Sequence, residues 1–307
     1  MSTLTIDDPV LLGFAEEVGA EGPVTVVGAR TRWDVGGAVD PAARELTAPA
    51  GIVAYAAPEM TVQVRAGTSV AELEAELAAY GQRTAVPARG GTVGGAVAVG
   101  ENPADVAARG RLRDAVLQVR YVSAEGELVT GGGPVVKNVT GYNLPKLMTG
   151  SLGTLGLLVE VILRTNPIPA ASRWLSASEI DPGAVVGELY RPASVLWDGS
   201  TTWVHLEGHG PDIDAEHRRL SGLGGFSEVD GPPPAPDHRW SVSASDALLL
   251  PGSTDGDVLV AVGAGLAWAD RPQPPRPVDP GVEALSARVK QNFDPSARLN
   301  PGRKVGH

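Results

Sequence analysis

The apolar and polar positions of the first half of the chain predict a sheet built from short strands. Residues 24–28 and 155–165 are apolar runs typical of buried strands, whereas residues 61–66 alternate apolar and polar side chains as a half-buried strand does. Residues 115–133 contain two more runs separated by the turn sequence Glu125-Gly126, which predicts two strands joined by a turn.

Helical signals lie between these predicted strands. Ser69 and Glu72 fit the Ser-x-x-Glu capping box, and the apolar residues that follow recur at helical spacing until Gly81. Residues 144–148 place apolar side chains at i, i+3 and i+4, which is one stripe of a short helix. The first half is therefore predicted to mix strands and helices.

The second half of the chain has a different pattern. Asn166-Pro167 interrupts the apolar strand, so we expect a domain boundary there. Beyond it, residues 203–210 and 257–269 are typical of antiparallel strands, and one helix is expected near residues 212–222. After a proline-rich linker, the apolar spacing over residues 282–293 predicts a last helix. The pattern as a whole indicates an α+β fold.

Composition excludes several kinds of function. The net charge is −11 and the pI is about 4.9, whereas nucleic-acid binding requires clustered Lys and Arg, so we expect no nucleic-acid partner. No apolar run approaches the roughly 20 residues that cross a bilayer, and no secretory signal is visible, so we expect a cytoplasmic protein that is not integral to a membrane. The chain has no cysteine, which excludes an iron–sulfur cluster held by this chain alone.

Three glycine-rich segments are the strongest candidates for chemistry. They cover residues 28–37, 88–100 and 149–156, each next to a predicted strand or helix. Glycine lets a backbone approach a ligand closely because it has no Cβ, and a diphosphate needs several converging amides. None of the segments has the P-loop or the Rossmann fingerprint. A single segment of this kind indicates only a tight turn, but three together favour a large cofactor.

The run GGGPVVKNVTGYNLPKLMTGSLGTLGLLVEVILRTNPIP, residues 131–169, resembles the FAD-binding domain of the vanillyl-alcohol oxidase/p-cresol methylhydroxylase (PCMH) type. Within that type it is most similar to the E subunits of bacterial glycolate oxidases. The likeness runs from about residue 24 to 168 and returns in the closing Leu-Asn-Pro-Gly-Arg segment. It implies a two-subdomain PCMH-type FAD-binding domain over residues 1–166. A short α+β C-terminal cap domain over residues 167–307 would follow, with its terminal helix and tail returning to the flavin.

The resemblance implies cofactor contacts from three loops, one turn and the C-terminal segment. The first loop contributes Gly28, Ala29, Arg30, Thr31 and Arg32. The second contributes Gly91, Thr92, Val93, Gly94 and Gly95. The turn contributes Lys137, Asn138, Gly141, Tyr142 and Asn143. The third loop and the strand after it contribute Gly150, Ser151, Gly153, Thr154, Gly156 and Leu157, and the C-terminal segment contributes Asn300.

One departure from the family concerns the first loop. Ala29 and Arg30 stand where family members usually carry glycine, and the Arg30 side chain would either help to neutralise a diphosphate or obstruct its approach. We expect the cofactor to be retained. It is expected to be noncovalent, because the first two loops contain no His or Cys to which a flavin could be attached.

A metal site is not expected. His205 and His209 have a spacing of four, which would place them on one face of a helix, where they could share a metal ion. The sequence around them alternates as a strand does, and in a strand these positions lie about 13 Å apart. We therefore interpret His205 as a strand residue without a metal.

The resemblance implies an FAD-dependent oxidoreductase acting on CH–OH donors. It would take part in oxidation of a small 2-hydroxy acid such as glycolate, in a complex with another flavoprotein and an iron–sulfur subunit. No catalytic residue is identified: Lys137 is better explained as a cofactor or structural contact than as a base, and Arg173 and Arg191 are weak candidates for binding a carboxylate. The main alternative is a non-catalytic FAD-binding or assembly subunit. A peptidoglycan-precursor reductase of the same fold is a third, although its Gly-Ser-Asn loop is not visible.

Overall fold

The chain forms two compact units, each built from more than one segment. The computed structural model describes residues 8–134, 143–274 and 277–305. The first unit comprises Met1–Glu101, Leu112–Asn166 and Arg276–His307, and the second comprises Asn102–Arg111 and Pro167–Pro275. The chain passes from the first unit to the second after residue 166. Residues 102–111 nevertheless belong to the second unit and residues 276–307 to the first, whereas the sequence predicted one continuous domain on each side of the boundary.

The helices are mostly short and lie between strands. In chain order they are α1 (Pro9–Val18), α2 (Val70–Ala78), α3 (Val93–Val99), α4 (Val106–Arg109), α5 (Leu112–Ala115), α6 (Leu144–Met148), α7 (Pro182–Glu188), α8 (Gly210–Leu220), α9 (Ala244–Ala247), α10 (Leu250–Ser253) and α11 (Pro280–Phe293), with a 3-10 turn at Ala57–Glu59. The helix predicted from the capping box is α2: Ser69 Oγ accepts a hydrogen bond from Glu72 N at 3.1 Å. The predicted helices near residues 144–148, 212–222 and 282–293 are also confirmed.

The first unit is built around a six-stranded sheet beside a two-stranded one. Its strands are β1 (Val24–Val26), β2 (Arg44–Leu46), β3 (Ile52–Ala56), β4 (Thr61–Arg65), β5 (Gln82–Thr84), β6 (Val116–Val122), β7 (Leu128–Gly132) and β8 (Leu157–Pro167). β1 and β2 pair in parallel, whereas the larger sheet has the order β3-β4-β8-β6-β7 with β5 also paired to β8. The central strand β8 is buried without interruption from Leu157 to Leu163, which explains why its sequence is apolar rather than alternating. The five strands predicted for this half are confirmed as β1, β4, β6, β7 and β8.

The second glycine-rich segment differs from its predicted loop. Residues 93–99 form the helix α3, although two of its seven residues are glycines and glycine is a poor helix former. The reason is close packing: a Cβ on Gly94 would lie 2.7 Å from Ala66 Cβ and 2.9 Å from the Ala66 carbonyl oxygen. Glycine therefore allows the helix to contact the end of β4.

The second unit is a seven-stranded antiparallel sheet with α7 and α8 packed against it. Its strands are β9 (Ala171–Ser178), β10 (Ser194–Trp197), β11 (Thr201–Gly208), β12 (Ser227–Val229), β13 (His238–Ser241), β14 (Val258–Ala261) and β15 (Leu266–Ala269), in the order β12-β9-β11-β10-β14-β15-β13. The two predicted strands correspond to β11 and to the β14–β15 pair. His205 lies in β11, which confirms it as a strand residue, whereas His209 follows the strand at the N-terminus of α8.

Among the residues that the structure describes, no helix has both the length and the apolar character that crossing a bilayer requires.

Candidate cofactor-binding site

Two adjoining cavities lie in the first unit between the loop after β1 and the helix α3. Each has a volume of about 90 Å³. The residues that line both are Val26, Gly28, Thr92, Gly95, Ala98 and Asn300. The first loop, the second loop and the C-terminal segment, which are far apart in the sequence, therefore meet in one place. We call this pair of cavities the loop groove.

The first loop offers a row of backbone amides to the loop groove. Gly28, Ala29, Arg30, Thr31 and Arg32 all line it. None of the described residues accepts a hydrogen bond from the five consecutive amide nitrogens of residues 28–32. Backbone amides are strong donors that are normally paired, and a curved row of them is the usual way that a backbone binds an anion. This loop therefore fits a diphosphate.

Arg30 takes the backbone conformation that the family glycine would take more easily. Its φ is +56°, which few non-glycine residues adopt. Its guanidinium Nη2 donates to both carboxylate oxygens of Glu45, at 2.8 and 2.7 Å, and its Cζ lies 4.5 Å from the centroid of the Trp33 ring. Both partners of this ion pair are about half exposed, so the pair contributes little to stability.

Arg32 is the buried arginine of the same loop. Its Nε donates to the Glu101 carboxylate, and both side chains are less than 5% exposed. Its Nη1 donates to the Gly90 carbonyl at 2.9 Å, and Arg89 lies 3.3 Å from the other oxygen of Glu101. Arg32 Nη2 is buried and has no acceptor among the described residues. A buried guanidinium nitrogen without an acceptor, in a side chain that lines a cavity, fits an anionic ligand that supplies one.

The second loop contributes Thr92, Gly94 and Gly95 to the loop groove. Thr92 Oγ1 accepts a hydrogen bond from Gly95 N at 3.2 Å and so caps α3. A Cβ on Gly28 would lie 2.6 Å from this Oγ1, so the first and second loops touch where glycine is required. Gly91 and Val93 do not line the groove: Gly91 has a φ of +80°, and Val93 is fully buried in the core.

The third loop is divided between two places. Gly153 and Leu157 line the loop groove, and a Cβ on Gly153 would collide with the Asn300 side-chain amide. Gly156 instead lies against the Tyr121 ring, where an added Cβ would come within 2.9 Å of Cε2 and closer still to Cδ2. The remaining three residues of the prediction line a separate cavity beside α11: Gly150, Ser151 and Thr154.

The predicted turn before α6 is described only in part. Asn143 caps α6 by accepting a hydrogen bond from Lys146 N at 3.1 Å, and it lines neither cavity of the groove. The other four residues of the turn lie outside the described residues: Lys137, Asn138, Gly141 and Tyr142.

Asn300 is fixed in the loop groove by three hydrogen bonds. Thr25 Oγ1 donates to its Oδ1, its Nδ2 donates to the Leu152 carbonyl at 2.6 Å, and its backbone N donates to the Val24 carbonyl at 2.8 Å. These bonds join the C-terminal segment to β1 and to the third loop. Asn300, which follows the whole second unit in the sequence, therefore forms one wall of the groove.

Arg298 holds the same C-terminal segment from the other side. The side chain is 4% exposed, and burial lowers its pKa. Its guanidinium donates five hydrogen bonds of 2.8 to 3.1 Å to backbone carbonyl oxygens. The acceptors belong to Val18, Gly19, Glu21, Gly22 and Ala124. One arginine thus satisfies carbonyls at the end of α1, in the loop after it and in the turn between β6 and β7.

Asp294 organises the turn that leads from α11 to this segment. Burial raises its pKa, but hydrogen bonds from Lys290 Nζ at 2.5 Å and from the amides of Leu299 at 2.8 Å and Arg298 at 3.1 Å outweigh burial. The net result is a pKa below the ordinary value of 3.8. The carboxylate therefore stabilises the fold in its charged form.

This shift makes part of the stability dependent on pH. The folded pKa of Asp294 lies below the unfolded one, so its stabilisation is complete above the unfolded value near 3.8 and is lost as the pH falls through the folded pKa. We expect Asp294→Asn to lower the free energy of unfolding by about 1–3 kcal/mol at pH 7 and by much less near pH 3. Urea denaturation at both pH values, with the exposed Asp255→Asn as a control for the lost charge, measures this. An equal loss at both pH values would contradict it.

Several residues of the loop groove carry no signal that the sequence alone reveals. Trp33 and Arg303 line it, with Arg303 Cζ 4.7 Å from the centroid of the Trp33 ring, and burial lowers the pKa of Arg303. Glu101, the partner of Arg32, lies in a stretch without any motif. Of these three residues, only Arg303 could have been predicted as a site residue, because it belongs to the closing Leu-Asn-Pro-Gly-Arg segment.

Comparison with known proteins agrees with this geometry. Residues 15–132 match the family described as FAD binding domain, and the matched range contains the first two loops of the groove. The chain is 29% identical to glycolate oxidase subunit GlcE of Escherichia coli (strain K12) over 329 aligned positions, which cover 92% of each protein. It is 36% identical to the D-lactate dehydrogenase of Anaerostipes hadrus over 154 positions, 48% of this chain and 32% of that protein.

Solved structures support the fold alone. The chain is similar to alkyldihydroxyacetonephosphate synthase with TM-scores of 0.61 and 0.66 in two crystal forms. The sequence identity is 14% and 13%, and the superposition covers 95% of this chain and about three quarters of the other, 73% and 74%. The mixture of helices and sheets predicted from the sequence is thereby confirmed as an α+β fold shared with that enzyme.

Proposed function

On the premise that this chain carries an FAD-binding domain over residues 15–132, we propose that it is an FAD-binding subunit of an oxidoreductase acting on a small 2-hydroxy acid. The observation that carries the proposal is the first loop, where five amides without internal partners and the buried Nη2 of Arg32 line one groove. Such a combination suits a diphosphate, which is the part of FAD that a backbone loop can bind.

In this proposal the chain binds and orients the cofactor. When bound, FAD supplies the ring that accepts a hydride from the carbon bearing the substrate hydroxyl. The amides of residues 28–32 donate to the diphosphate, and Arg32 offsets its charge. Thr92 and Asn300 fix the positions of the second loop and the C-terminal segment around it. The contacts expected from the other residues of the three loops and of the turn stay part of the proposal.

The substrate and partner assignments rest on the relatives. GlcE is a glycolate oxidase subunit, and a second relative is a D-lactate dehydrogenase, so the compounds in the two names are both small 2-hydroxy acids. The chain has no cysteine to hold an iron–sulfur cluster, so electrons would leave through other subunits, a flavoprotein and an iron–sulfur protein. We place this complex in the cytoplasm.

The alternative is an FAD-binding or assembly subunit that takes no part in the chemistry. It is favoured by the state of Arg173, one of two candidates for binding a substrate carboxylate. Its guanidinium lies 2.9 Å from Asp214 and 3.7 Å from Glu228, so two carboxylates of the second unit already neutralise it. Arg191 is exposed, and no hydrogen bond or ion pair orients its side chain among the described residues.

The purified protein is expected to be yellow, with absorption bands near about 370 and 450 nm from bound FAD. Denaturation is expected to release this FAD intact into solution, because the first two loops contain no His or Cys to which a flavin could be attached. Absorption spectra before and after acid precipitation measure both points. A colourless protein that takes up no added FAD would contradict the proposed function in either form.

The isolated holoprotein is expected to show little or no reduction by glycolate or D-lactate, and to gain it only with partner subunits. The reason is that, of the two candidate cations of the second unit, Arg173 is already paired with two carboxylates and Arg191 is not oriented by any described residue. Anaerobic mixing, followed by absorbance of the flavin, measures this. Rapid bleaching by either acid without partners would show that this chain is itself the dehydrogenase.

A further inference from the structure

Three potential metal ligands converge in the second unit, away from any predicted motif. Asp105 lies just before α4, and His205 and Glu207 are two positions apart in β11, which places them on the same face of the strand. One ligand atom of each residue lies within 4.8 Å of the others, and His205 Nε2 is 3.5 Å from Glu207 Oε1. In tetrahedral sites, ligand atoms about 2.0–2.1 Å from zinc lie roughly 3.3–3.4 Å apart, so this pair already has the required spacing.

The surroundings orient two of these side chains. His205 is 7% exposed, and its ring stacks on Trp174 with centroids 4.4 Å apart and planes within 5°. Arg109 Nε donates to Asp105 Oδ2 at 2.6 Å, which fixes the carboxylate and leaves Oδ1 as a ligand atom. Outer hydrogen bonds of this kind commonly orient the ligands of metal sites. Ser172 Oγ is hydrogen-bonded to His205 Nε2 at 2.8 Å, and this bond would be given up when the nitrogen binds a metal.

The side chains of the cluster suit a divalent cation. Asp105 and Glu207 bring two carboxylates into a largely buried place, where Arg109 forms an ion pair with Asp105 and Glu207 lies 3.5 Å from His205. One imidazole with two carboxylates is a donor set that suits a divalent first-row transition metal better than Ca²⁺ or Mg²⁺.

We propose that Asp105, His205 and Glu207 bind a divalent transition metal ion, for which Zn²⁺ is the probe. The ion would hold residues 102–111 onto β11 within the second unit. Its role is structural, and it does not depend on the flavin. A cluster held together only by its own hydrogen bonds, without an ion, is the outcome that the experiment must distinguish.

The test is equilibrium dialysis of the untagged, full-length holoprotein against Zn²⁺ after removal of metals with a chelator. We expect about one Zn²⁺ per chain and a higher Tm in its presence. Glu207→Gln keeps the shape of the side chain and should weaken Zn²⁺ binding by on the order of tenfold or more. Asp105→Asn should do the same, so the test does not depend on the buried His205→Gln, which could fail to fold.

His209→Gln is the matched control. His209 is exposed and lies four residues along the chain from His205, where it should bind no metal with the cluster, so its replacement should leave Zn²⁺ binding and the shift in Tm unchanged. Wild-type protein that takes up no Zn²⁺ would overturn the proposal. Uptake that survives Glu207→Gln and Asp105→Asn would overturn it too, because the ion would then bind elsewhere.

Discussion

Arg32→Met is expected to lower the affinity for FAD by at least about tenfold and to destabilise the apoprotein by about 3–5 kcal/mol. The two effects have different causes. Affinity falls because the loop groove loses the buried guanidinium nitrogen that awaits an acceptor. Stability falls because the Glu101 carboxylate, 2% exposed, loses its closest positive charge and keeps Arg89 at 3.3 Å.

A double variant separates these causes. Arg32→Met combined with Glu101→Met removes both charges, and replacing a whole buried pair by apolar side chains is often neutral or stabilising, so stability should recover while FAD affinity should not. Urea denaturation of the apoproteins and fluorescence titration with FAD measure the two quantities. Arg30→Met, which breaks the half-exposed pair with Glu45, should cost less than about 1 kcal/mol. A double variant that binds FAD as the wild type does would show that Arg32 has only a structural role.

Arg298→Ala is expected to destabilise the protein by about 4 kcal/mol, more than most single replacements do. The substitution leaves five backbone carbonyls without their donor, in a place too buried for bulk water to replace it fully. Arg298→Lys should recover little of the loss, because an ammonium group has three donors and cannot reproduce the planar fork of the guanidinium.

Thermal and urea denaturation of the holoprotein measure the effect of the Arg298 variants. Arg218→Ala is a suitable control, because Arg218 is an exposed side chain on α8. A loss below about 1 kcal/mol for Arg298→Ala would mean that water satisfies the five carbonyls. Recovery by Arg298→Lys to the wild-type stability would mean that the charge alone matters.

Regular elements were predictable where one local signal decided them. Ser69 with its following apolar face predicts α2, and the unbroken apolar run predicts β8, because capping and burial on both faces leave clear patterns. The helix α3 was missed because its glycines oppose helix formation locally. Only the contact between Gly94 and Ala66, which depends on the fold of the whole unit, makes them favourable.

The candidate sites were predictable to different degrees. The resemblance led to the loops that meet in the groove, but the separation of Gly150, Ser151 and Thr154 from it depends on where α11 packs. The cluster around His205 shows the same limit. From the sequence, His209 was considered as a partner four residues away and rejected, whereas the structure brings Asp105 from a segment one hundred residues earlier. Strand spacing excludes His209 as a partner of His205, but it cannot identify Asp105 as one.

The anchoring of residues 298–300 against β1 has a consequence for biosynthesis. A ribosome adds roughly 5–20 residues per second, so a nascent chain that has completed β8 waits roughly 7 to 27 seconds before Asn300 exists. During that interval the second unit emerges whole, whereas the first still lacks one wall of its groove and the five-bond anchor of Arg298. Capture of the flavin should therefore wait until residues 298–300 have been made, and a chaperone that shields the early half would have a defined period in which to act.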